Sequence, residues 1–214
     1  MAHTTPHPTP IFHVTSIDNL GGILARGGLS SWSKLYNQGF TYTNIAHQSI
    51  QARRAVTPVG IPHYGNLHDY VPFYFAPRSP MLYTISRGNV EGYPGGQEDI
   101  IHMVSSAQAM QEAEKKFVFT DGHAIMAFTG FFSELSDLDN VDWAIMKETF
   151  WADTDDDPDR KRRRQAEFLV YDYVQWSLIQ QIGVMNELIA EKVKGIIKKS
   201  AHQPIIRVCR PWYY

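Results

Sequence analysis

The sequence predicts an α+β fold built around a mixed, partly antiparallel sheet. Strand-like and helix-like segments are interspersed along the 214 residues rather than grouped. Several strand segments alternate apolar and polar residues, which is typical of antiparallel sheets, whereas parallel sheets carry continuous apolar runs. With 43% hydrophobic residues, the chain can bury a core of its own. We expect a flexible N-terminal segment at 1–10 and a single domain at 11–214.

The predicted elements follow from local composition and from capping residues, glycines and prolines at their ends. Ser16 or Asp18 can cap the first helix and Gly27-Gly28 ends it. Pro72 predicts an edge or irregular strand, because proline cannot donate to a ladder. The predicted elements are a strand at 11–17, a helix within 16–29, a short helix around 45–52, a strand at 70–75, a strand and a helix in 99–113, a strand, an Asp-Gly turn and a helix start in 116–126, an amphipathic helix at 142–151, a strand at 166–174, a helical pattern at 178–199 that Gly183 could break, and a strand at 205–209.

Several function classes lack support in the composition. The net charge is −2 and the pI about 6.5, so any nucleic-acid footprint must be local. The single cysteine, Cys209, excludes disulfides within the chain and favours a reducing cytoplasm. No signal peptide or apolar span is evident, so we expect no membrane association. GxGxxG, Walker A, HExxH and GxSxG motifs are missing, which argues against Rossmann, P-loop, zinc and serine-hydrolase sites.

The segment "DTDDDPDRKRRR" places five acidic residues before a run of five basic ones. The basic residues could pair with those acids on a solvated loop, where each pair contributes little. They could instead bind nucleic-acid phosphates, which dominate affinity for DNA and RNA. The basic run consists of Arg160, Lys161, Arg162, Arg163 and Arg164.

Glu167 follows this run and begins the apolar stretch "FLVYDYV". It is either a strand-end carboxylate paired with an arginine or a catalytic group that stabilises a cationic transition state. His13 and Thr15 alternate on the first strand, so their side chains leave the same face. They are core residues or the lining of a ligand pocket beside the Gly27-Gly28 turn.

Arg53 and Arg54 close a helical stretch. They could interact favourably with the helix C-terminus, or a guanidinium could bind a diphosphate, which its planar fork suits. The segment "LHDYVPFYFAPRSPM" groups Tyr74 and Arg78 among prolines and predicts either a rigid pocket wall or an ordinary packed loop.

Four segments together are more specific than any one of them. "FHVTSIDNLGGILARGGL", "HDYVPFYFAPRSPMLY", "FTDGHA" and "RRRQAEFLV", in this order and spacing, resemble the DarT family of bacterial DNA ADP-ribosyltransferase toxins over residues 11 to 208. The resemblance implies an ADP-ribosyltransferase-like fold with a split central sheet and surrounding helices. It implies transfer of ADP-ribose from NAD, without a metal, to thymine N3 in single-stranded DNA, in a sequence-dependent manner. It also implies a macrodomain antitoxin partner of the DarG type.

The resemblance also implies roles for individual residues. Glu167 matches the catalytic glutamate and His13 the NAD-binding histidine. Arg53 is the first choice for the catalytic arginine that contacts NAD, and Arg54 is the alternative because the doublet leaves the register open by one. We expect the remaining NAD-binding residues to be Thr15, Gly28 and Tyr74, and the DNA-binding residues to be Arg54, Arg78 and the basic run Arg160, Lys161, Arg162, Arg163 and Arg164.

The chemistry gives these roles a physical reason. Cleavage of NAD's glycosidic bond leaves a cationic ribose that a carboxylate can stabilise, and thymine N3 carries a weakly acidic proton that a base can accept. Glu167 could perform both roles. Tyr42, Tyr74 and Phe75 could stack on nicotinamide or on bases. Three other classes remain open at this point: a transferase acting on RNA or protein, a metal-dependent nuclease using "DTDDDPD", and a non-catalytic single-strand binder.

Overall fold

The computed structural model describes residues 4–61 and 65–214. Within them, ten strands and eight helices surround the core, and no helix has the length and apolar character needed to cross a membrane. The strands are β1 (Pro10–Ser16), β2 (Gly28–Ser30), β3 (Tyr70–Tyr74), β4 (Ile100–Ser106), β5 (Phe117–Thr120), β6 (Phe131–Phe132), β7 (Glu167–Tyr171), β8 (Tyr173–Gln175), β9 (Gln181–Val184) and β10 (Ile205–Val208). The helices are α1 (Leu20–Ala25), α2 (Trp32–Asn37), α3 (Gln48–Val56), α4 (Pro80–Ser86), α5 (Ala107–Glu112), α6 (Trp143–Lys147), α7 (Arg160–Arg164) and α8 (Glu187–Ile197).

Eight strands form the main sheet in the order β10-β9-β4-β1-β3-β7-β5-β6, and β2 pairs with β8 separately. The β9–β10 pair is parallel and the other pairs are antiparallel. β1 pairs with β4 along its whole length, but within the described residues β1 meets β3 at one position, Phe12 opposite Tyr74. The sheet is therefore divided between β1 and β3, which confirms the split central sheet.

Pro72 lies in an interior strand, so the prediction of an edge is wrong, whereas the alternative of an irregular strand agrees with the single described pairing between β3 and β1. Its carbonyl accepts a hydrogen bond from His13 Nδ1 at 2.8 Å, across the division between β1 and β3. Because the nitrogen and carbonyl of a strand residue face the same side, the missing N–H of Pro72 falls on the side where no ladder continues. The division of the sheet thus accommodates a proline inside it.

Two predicted elements differ in the structure. The predicted strand at 166–174 is two strands in different sheets, because Asp172 takes a positive φ of 60° between β7 and β8. The first part of the helical pattern at 178–199 is strand β9, whose Gly183 lies against the indole of Trp212 at a distance that leaves no room for a Cβ. The predicted helix start in 116–126 is a turn, residues 123–126, and the predicted helix at 142–151 shortens to α6.

The main core lies between the sheet and the helices, and includes Phe73, Phe168 and Ile182. Phe75 belongs to this core and packs edge-on against Phe119, Trp143 and Phe168, so it is not a stacking surface for a ligand. Thr9 is fully buried and its N–H donates to Gln108 Oε1 at 2.8 Å, which attaches the end of segment 1–10 to α5.

Candidate active site

A cleft lies beside the division between β1 and β3. Its volume is about 1100 Å³ when the space open to solvent is included, and β1, α1, α2, α3 and β3 contribute to its lining. The lining is mostly apolar and contains a small number of polar and charged groups, which is typical of small-molecule sites. Among these groups are His13, Thr15, Arg54, Tyr74 and Glu167.

Glu167 is the first residue of β7 and is 2% exposed. Its Oε2 accepts from Arg54 Nη1 at 2.7 Å, and its Oε1 accepts from the N–H of Ala124 at 3.3 Å. Its own N–H donates to Thr120 Oγ1 at 2.9 Å, on the neighbouring strand β5. Both carboxylate oxygens and the backbone are therefore fixed, as a preorganised catalytic group requires.

The arginine beside Glu167 is Arg54, not Arg53. On a helix, consecutive residues point about 100° apart, so α3 can direct only one member of the doublet into the cleft. Ile50 and Arg54 share the face that lines it, whereas Arg53 donates to the carbonyl of Ile125 at 3.0 Å. The structure thus places the alternative, rather than the first choice, against the glutamate. Arg54 Nη2 is buried and has no hydrogen-bond partner among the described residues.

His13 and Thr15 both line the cleft from β1. His13 Nδ1 donates to the Pro72 carbonyl, which leaves Nε2 to act as an acceptor. Burial lowers the pKa of His13, so the ring is neutral at physiological pH. Thr15 Oγ1 accepts from Asn19 Nδ2 at 2.9 Å, and Asn19 also bonds the backbone of Thr43. These contacts attach segment 41–46 to β1.

Gly28 does not line the cleft. A Cβ at this position would lie 2.1 Å from the Val174 carbonyl, so the glycine is required by the pairing of β2 with β8. Tyr74 does line the cleft, directly opposite Glu167 in the β3–β7 register. Burial and the Glu167 carboxylate raise the pKa of Tyr74, so its hydroxyl stays protonated and can donate a hydrogen bond.

A second cavity adjoins the first, and His123, Tyr74 and Met81 line both. Arg53, Lys161 and the 65% exposed ring of Phe128 belong to the second one. Burial lowers the pKa of His123, against an opposing effect of Glu167. A neutral imidazole therefore lies where the two cavities meet. Sequence reasoning quoted this residue within "FTDGHA" but gave it no role.

The basic run does not present five free cations to a ligand. Arg160 donates to the carbonyls of Phe150 and Ala152. Arg162 pairs with Asp159 and Asp121. Arg163 pairs with Asp142, Asp157 and Asp159. For Arg162 and Arg163 the structure supports pairing with acids over phosphate binding, and the guanidinium of Arg160 is held by backbone carbonyls.

Arg164 and Arg78 also differ from their predicted place on the DNA surface. Arg164 is buried and its guanidinium donates to the carbonyls of Arg78 and Ile145. Burial lowers the pKa of Arg164 to about 10. The Arg78 guanidinium lies over the ring of Tyr214, 4.4 Å from its centroid. Both arginines therefore connect segments of the fold. Lys161 is the exposed member of the run, and it lines the second cavity.

Other cleft residues were missed in the sequence. Arg26 lines the cleft beyond α1, and its Nε is buried without a partner among the described residues. Trp32 stacks on His68 with ring centroids 4.3 Å apart. Tyr42, which was predicted to stack, lines the same cleft. Arg26 carried a signal, since "ARGG" places a cation beside the predicted Gly27-Gly28 turn. Within residues 4–61 and 65–214, no cluster of three or more His, Cys, Asp or Glu side chains could hold a metal ion.

Comparisons with known proteins agree on one family. The family model described as "ssDNA thymidine ADP-ribosyltransferase, DarT" matches residues 12–214. A DNA ADP-ribosyl transferase of Thermus sp. (strain 2.9) is 46% identical over 217 residues, covering 100% of both proteins. One from Escherichia coli O127:H6 is 32% identical, covering 100% of this chain and 97% of that protein.

Solved structures give the same result. The Thermus sp. 2.9 DarT in complex with ADP-ribosylated ssDNA superposes with a TM-score of 0.94 at 45% identity, covering 100% of both chains. The same protein in complex with NAD+ gives a TM-score of 0.88 at 42% identity, covering 99% of this chain and 100% of that one. The chain therefore belongs to the DarT family of single-stranded-DNA thymidine ADP-ribosyltransferases.

Proposed function

We propose that this chain transfers ADP-ribose from NAD to N3 of a thymine base in single-stranded DNA and releases nicotinamide. The family gives the reaction class, the co-substrate and the nucleic acid. The observation that carries the assignment of residues is the buried Arg54–Glu167 pair in the wall of a cleft that adjoins a second cavity. The cleft would hold NAD and the second cavity the acceptor nucleotide.

Glu167 would act on the NAD side of the reaction. Breaking the glycosidic bond sends its electron pair to nicotinamide and leaves positive charge on the ribose. A carboxylate fixed by Arg54 and by the Ala124 N–H stabilises that charge without reorganising. We assign Glu167 to the ribose side of the reaction and the role of base to a second residue.

His123 would accept the proton from thymine N3 as the new bond to the ribose carbon forms. It lines both cavities, and its lowered pKa keeps it neutral and able to accept a proton near pH 7. The unpartnered Arg54 Nη2 can donate to a thymine carbonyl oxygen and so make N3 more acidic. In this arrangement, Arg54 takes the catalytic role that the sequence first gave to Arg53.

DNA would enter along the second cavity. Lys161 and Arg53 supply positive charge for backbone phosphates, and the exposed Phe128 ring offers a face on which a neighbouring base can stack. Single strands suit this arrangement, because a base in a duplex must first be flipped out at a cost of a few kcal/mol. Arg53 would therefore belong to DNA binding rather than to catalysis.

Arg26 would bind the diphosphate of NAD. The described lining of the cleft contains two arginines, Arg26 and Arg54, and Arg54 is already paired with Glu167. Arg26 is therefore the arginine that remains to bind an anion. A diphosphate carries two negative charges that need a counter-ion, and the guanidinium fork suits phosphate oxygens. His13 and Thr15 would supply hydrogen bonds to the same molecule from β1.

The biological context is a further part of the proposal. A relative from Thermosipho africanus, 26% identical, is named a fusion of a DNA ADP-ribosyl transferase and a DNA ADP-ribosyl glycohydrolase, and this chain matches 46% of its length. An enzyme that modifies its host's DNA needs such a reversing activity. We therefore expect a cytoplasmic toxin with sequence preference, whose partner is a macrodomain glycohydrolase of the DarG type. We also assign residues 11–214 to one transferase domain.

The test is to incubate the pure protein with NAD and a thymine-containing single-stranded oligonucleotide and to measure the intact mass. We expect one added ADP-ribose and released nicotinamide. We expect no product when the thymine is replaced by N3-methyluracil, a base that has no N3–H. An adduct on RNA or protein but not on DNA would reassign the acceptor. Product that requires a divalent metal and not NAD would reassign the chain to the nucleases.

A further inference from the structure

The turn that carries His123, residues 121–130, packs Ala124 and Ile125 into a buried apolar cluster and also receives several contacts from one side chain of the basic run. We define residues 121–130 as the His123 turn. It joins β5 to β6 and supplies both His123 and the Ala124 N–H that donates to Glu167. The position of this turn therefore sets the distance between the proton acceptor and the carboxylate.

Arg162 contacts this turn from several directions. Its backbone carbonyl accepts from the His123 N–H at 3.0 Å. Its Nη1 donates to Asp121 Oδ1 at 3.0 Å and to Thr129 Oγ1 at 3.4 Å. Its guanidinium also lies 5.0 Å from the centroid of the Phe128 ring. The same side chain thus contacts both ends of the turn.

The other side of the guanidinium is held by Asp159, the residue just before α7. Nε and Nη2 donate to the two carboxylate oxygens of Asp159, each at 2.8 Å, in a bidentate pair. The hydrogen bonds that Arg162 donates to Asp159, together with the Asp121 carboxylate, raise the pKa of Arg162. A bidentate pair fixes orientation as well as charge, which lysine cannot do.

The backbone leaves room for this arrangement. A Cβ at Gly122 would lie 2.2 Å from Arg162 Nη1, so the glycine lets the guanidinium cross the turn. By contrast, the side chain of the neighbouring Lys161 is exposed at the edge of the second cavity. Adjacent cations of the basic run therefore have different surroundings.

We propose that Arg162 is a positioning residue that holds the His123 turn against Glu167, and that Lys161 rather than Arg162 is the phosphate contact of this pair. The inference rests on the proposed role of His123. It separates a run of like charges into one member that controls the rate of the chemical step and one that controls DNA affinity.

The experiment compares Arg162→Gln with Lys161→Gln in the full chain, using NAD and a thymine-containing oligonucleotide over a range of salt concentrations. For Arg162→Gln we expect kcat to fall at least tenfold while KM for the oligonucleotide and its salt dependence stay within twofold. For Lys161→Gln we expect KM to rise about threefold or more and the salt slope to drop by about 1, because one phosphate contact is lost. Arg162→Lys should not restore kcat.

Asp159→Asn provides a second variant that keeps the charge of Arg162 and leaves the sequence of the His123 turn unchanged. If Arg162 is a positioning residue, Asp159→Asn lowers kcat without raising KM for DNA. If Arg162 binds DNA, freeing it from Asp159 preserves kcat and tightens DNA binding, which would overturn the proposal. This variant decides the matter should Arg162→Gln fail to fold.

Amide hydrogen exchange gives a readout that does not depend on activity. Residues 121–130 should exchange at least tenfold faster in Arg162→Gln and Asp159→Asn than in the unchanged protein, and should be unaffected by Lys161→Gln. Unchanged exchange in the first two variants would overturn the proposal. Absence of any adduct with the unchanged protein would instead overturn the proposed function. The exchange data would still test whether Arg162 holds the His123 turn in place.

Discussion

The Arg54–Glu167 pair and the ion pairs of Arg163 in α7 contain the same kinds of side chain in different surroundings. Glu167 and Arg54 are 2% and 9% exposed, whereas Arg163 and its acidic partners are partly open to solvent. Breaking a buried pair by removing one partner costs about 3–5 kcal/mol, while exposed pairs contribute about 0–1 kcal/mol. The comparison predicts that Arg163, one of the most visible charges of the sequence, contributes less to the chemistry than the buried pair does.

The largest expected fall in kcat is at Glu167. Glu167→Gln keeps the shape of the side chain but removes the charge that stabilises the ribose cation, so kcat should fall by roughly 10²–10³-fold. NAD binding should persist, because the cleft keeps its other contacts. Intact-mass kinetics on an oligonucleotide and calorimetric titration with NAD measure the two quantities.

Arg163→Gln is the matched control from α7. Its acidic partners remain solvated, so we expect kcat within twofold of the unchanged protein and little change in melting temperature. Comparable losses in the two variants would show that burial does not separate the two sets of charges.

The second prediction separates the two arginines of α3. Arg54→Gln leaves Glu167 buried without its cation, so it should reduce kcat at least a hundredfold and destabilise the fold by about 3–5 kcal/mol. Arg53→Gln loses a hydrogen bond to a carbonyl and one positive charge near the DNA path, so it should chiefly raise KM for DNA. Chemical denaturation and steady-state kinetics of both variants provide the measurement. A larger kcat loss for Arg53→Gln would return the catalytic role to the first choice.

Strands β1, β3, β4, β5 and β10 were predicted from local composition, and the divided sheet was expected from the family resemblance. The register of the Arg53-Arg54 doublet did not, because both residues fit a helix and a distant partner, Glu167, decides which one faces inward. Gly183 likewise lies in a pattern that suits a helix, but pairing with β4 and β10 makes it a strand. Two partners of the α7 arginines, Asp157 and Asp159, are among the acids just before the run that the sequence offered as partners. The other two, Asp121 after β5 and Asp142 before α6, are distant in sequence, and local charge patterns do not reveal them.

The third prediction concerns pH and sharpens the contrast between His123 and the exposed charges around it. Burial is the main cause of its lowered pKa, Glu167 opposes the shift, and Arg54, Arg53 and Lys161 add to it. A base works when unprotonated, so kcat should be constant near pH 7 and fall at acidic pH, with an apparent pKa below the ordinary 6.5 of histidine. The rate of DNA modification from pH 4.5 to 8 measures this value. His123→Gln should remove the dependence and lower kcat about 10²-fold.

The smallest expected effect lies at the NAD end of the cleft, away from the reacting atoms. Arg26→Gln removes the charge proposed to meet the diphosphate, so KM for NAD should rise about tenfold, which corresponds to about 1.4 kcal/mol of binding. Because Arg26 does not contact Glu167, kcat and KM for DNA should stay within twofold. Arg26→Lys should recover part of the affinity, since charge is kept and the fork is lost. Titration with ADP-ribose and with nicotinamide separates the contributions: Arg26→Gln should weaken the first and leave the second unchanged. An equal loss for nicotinamide would mean that Arg26 shapes the cleft as a whole rather than binding phosphate.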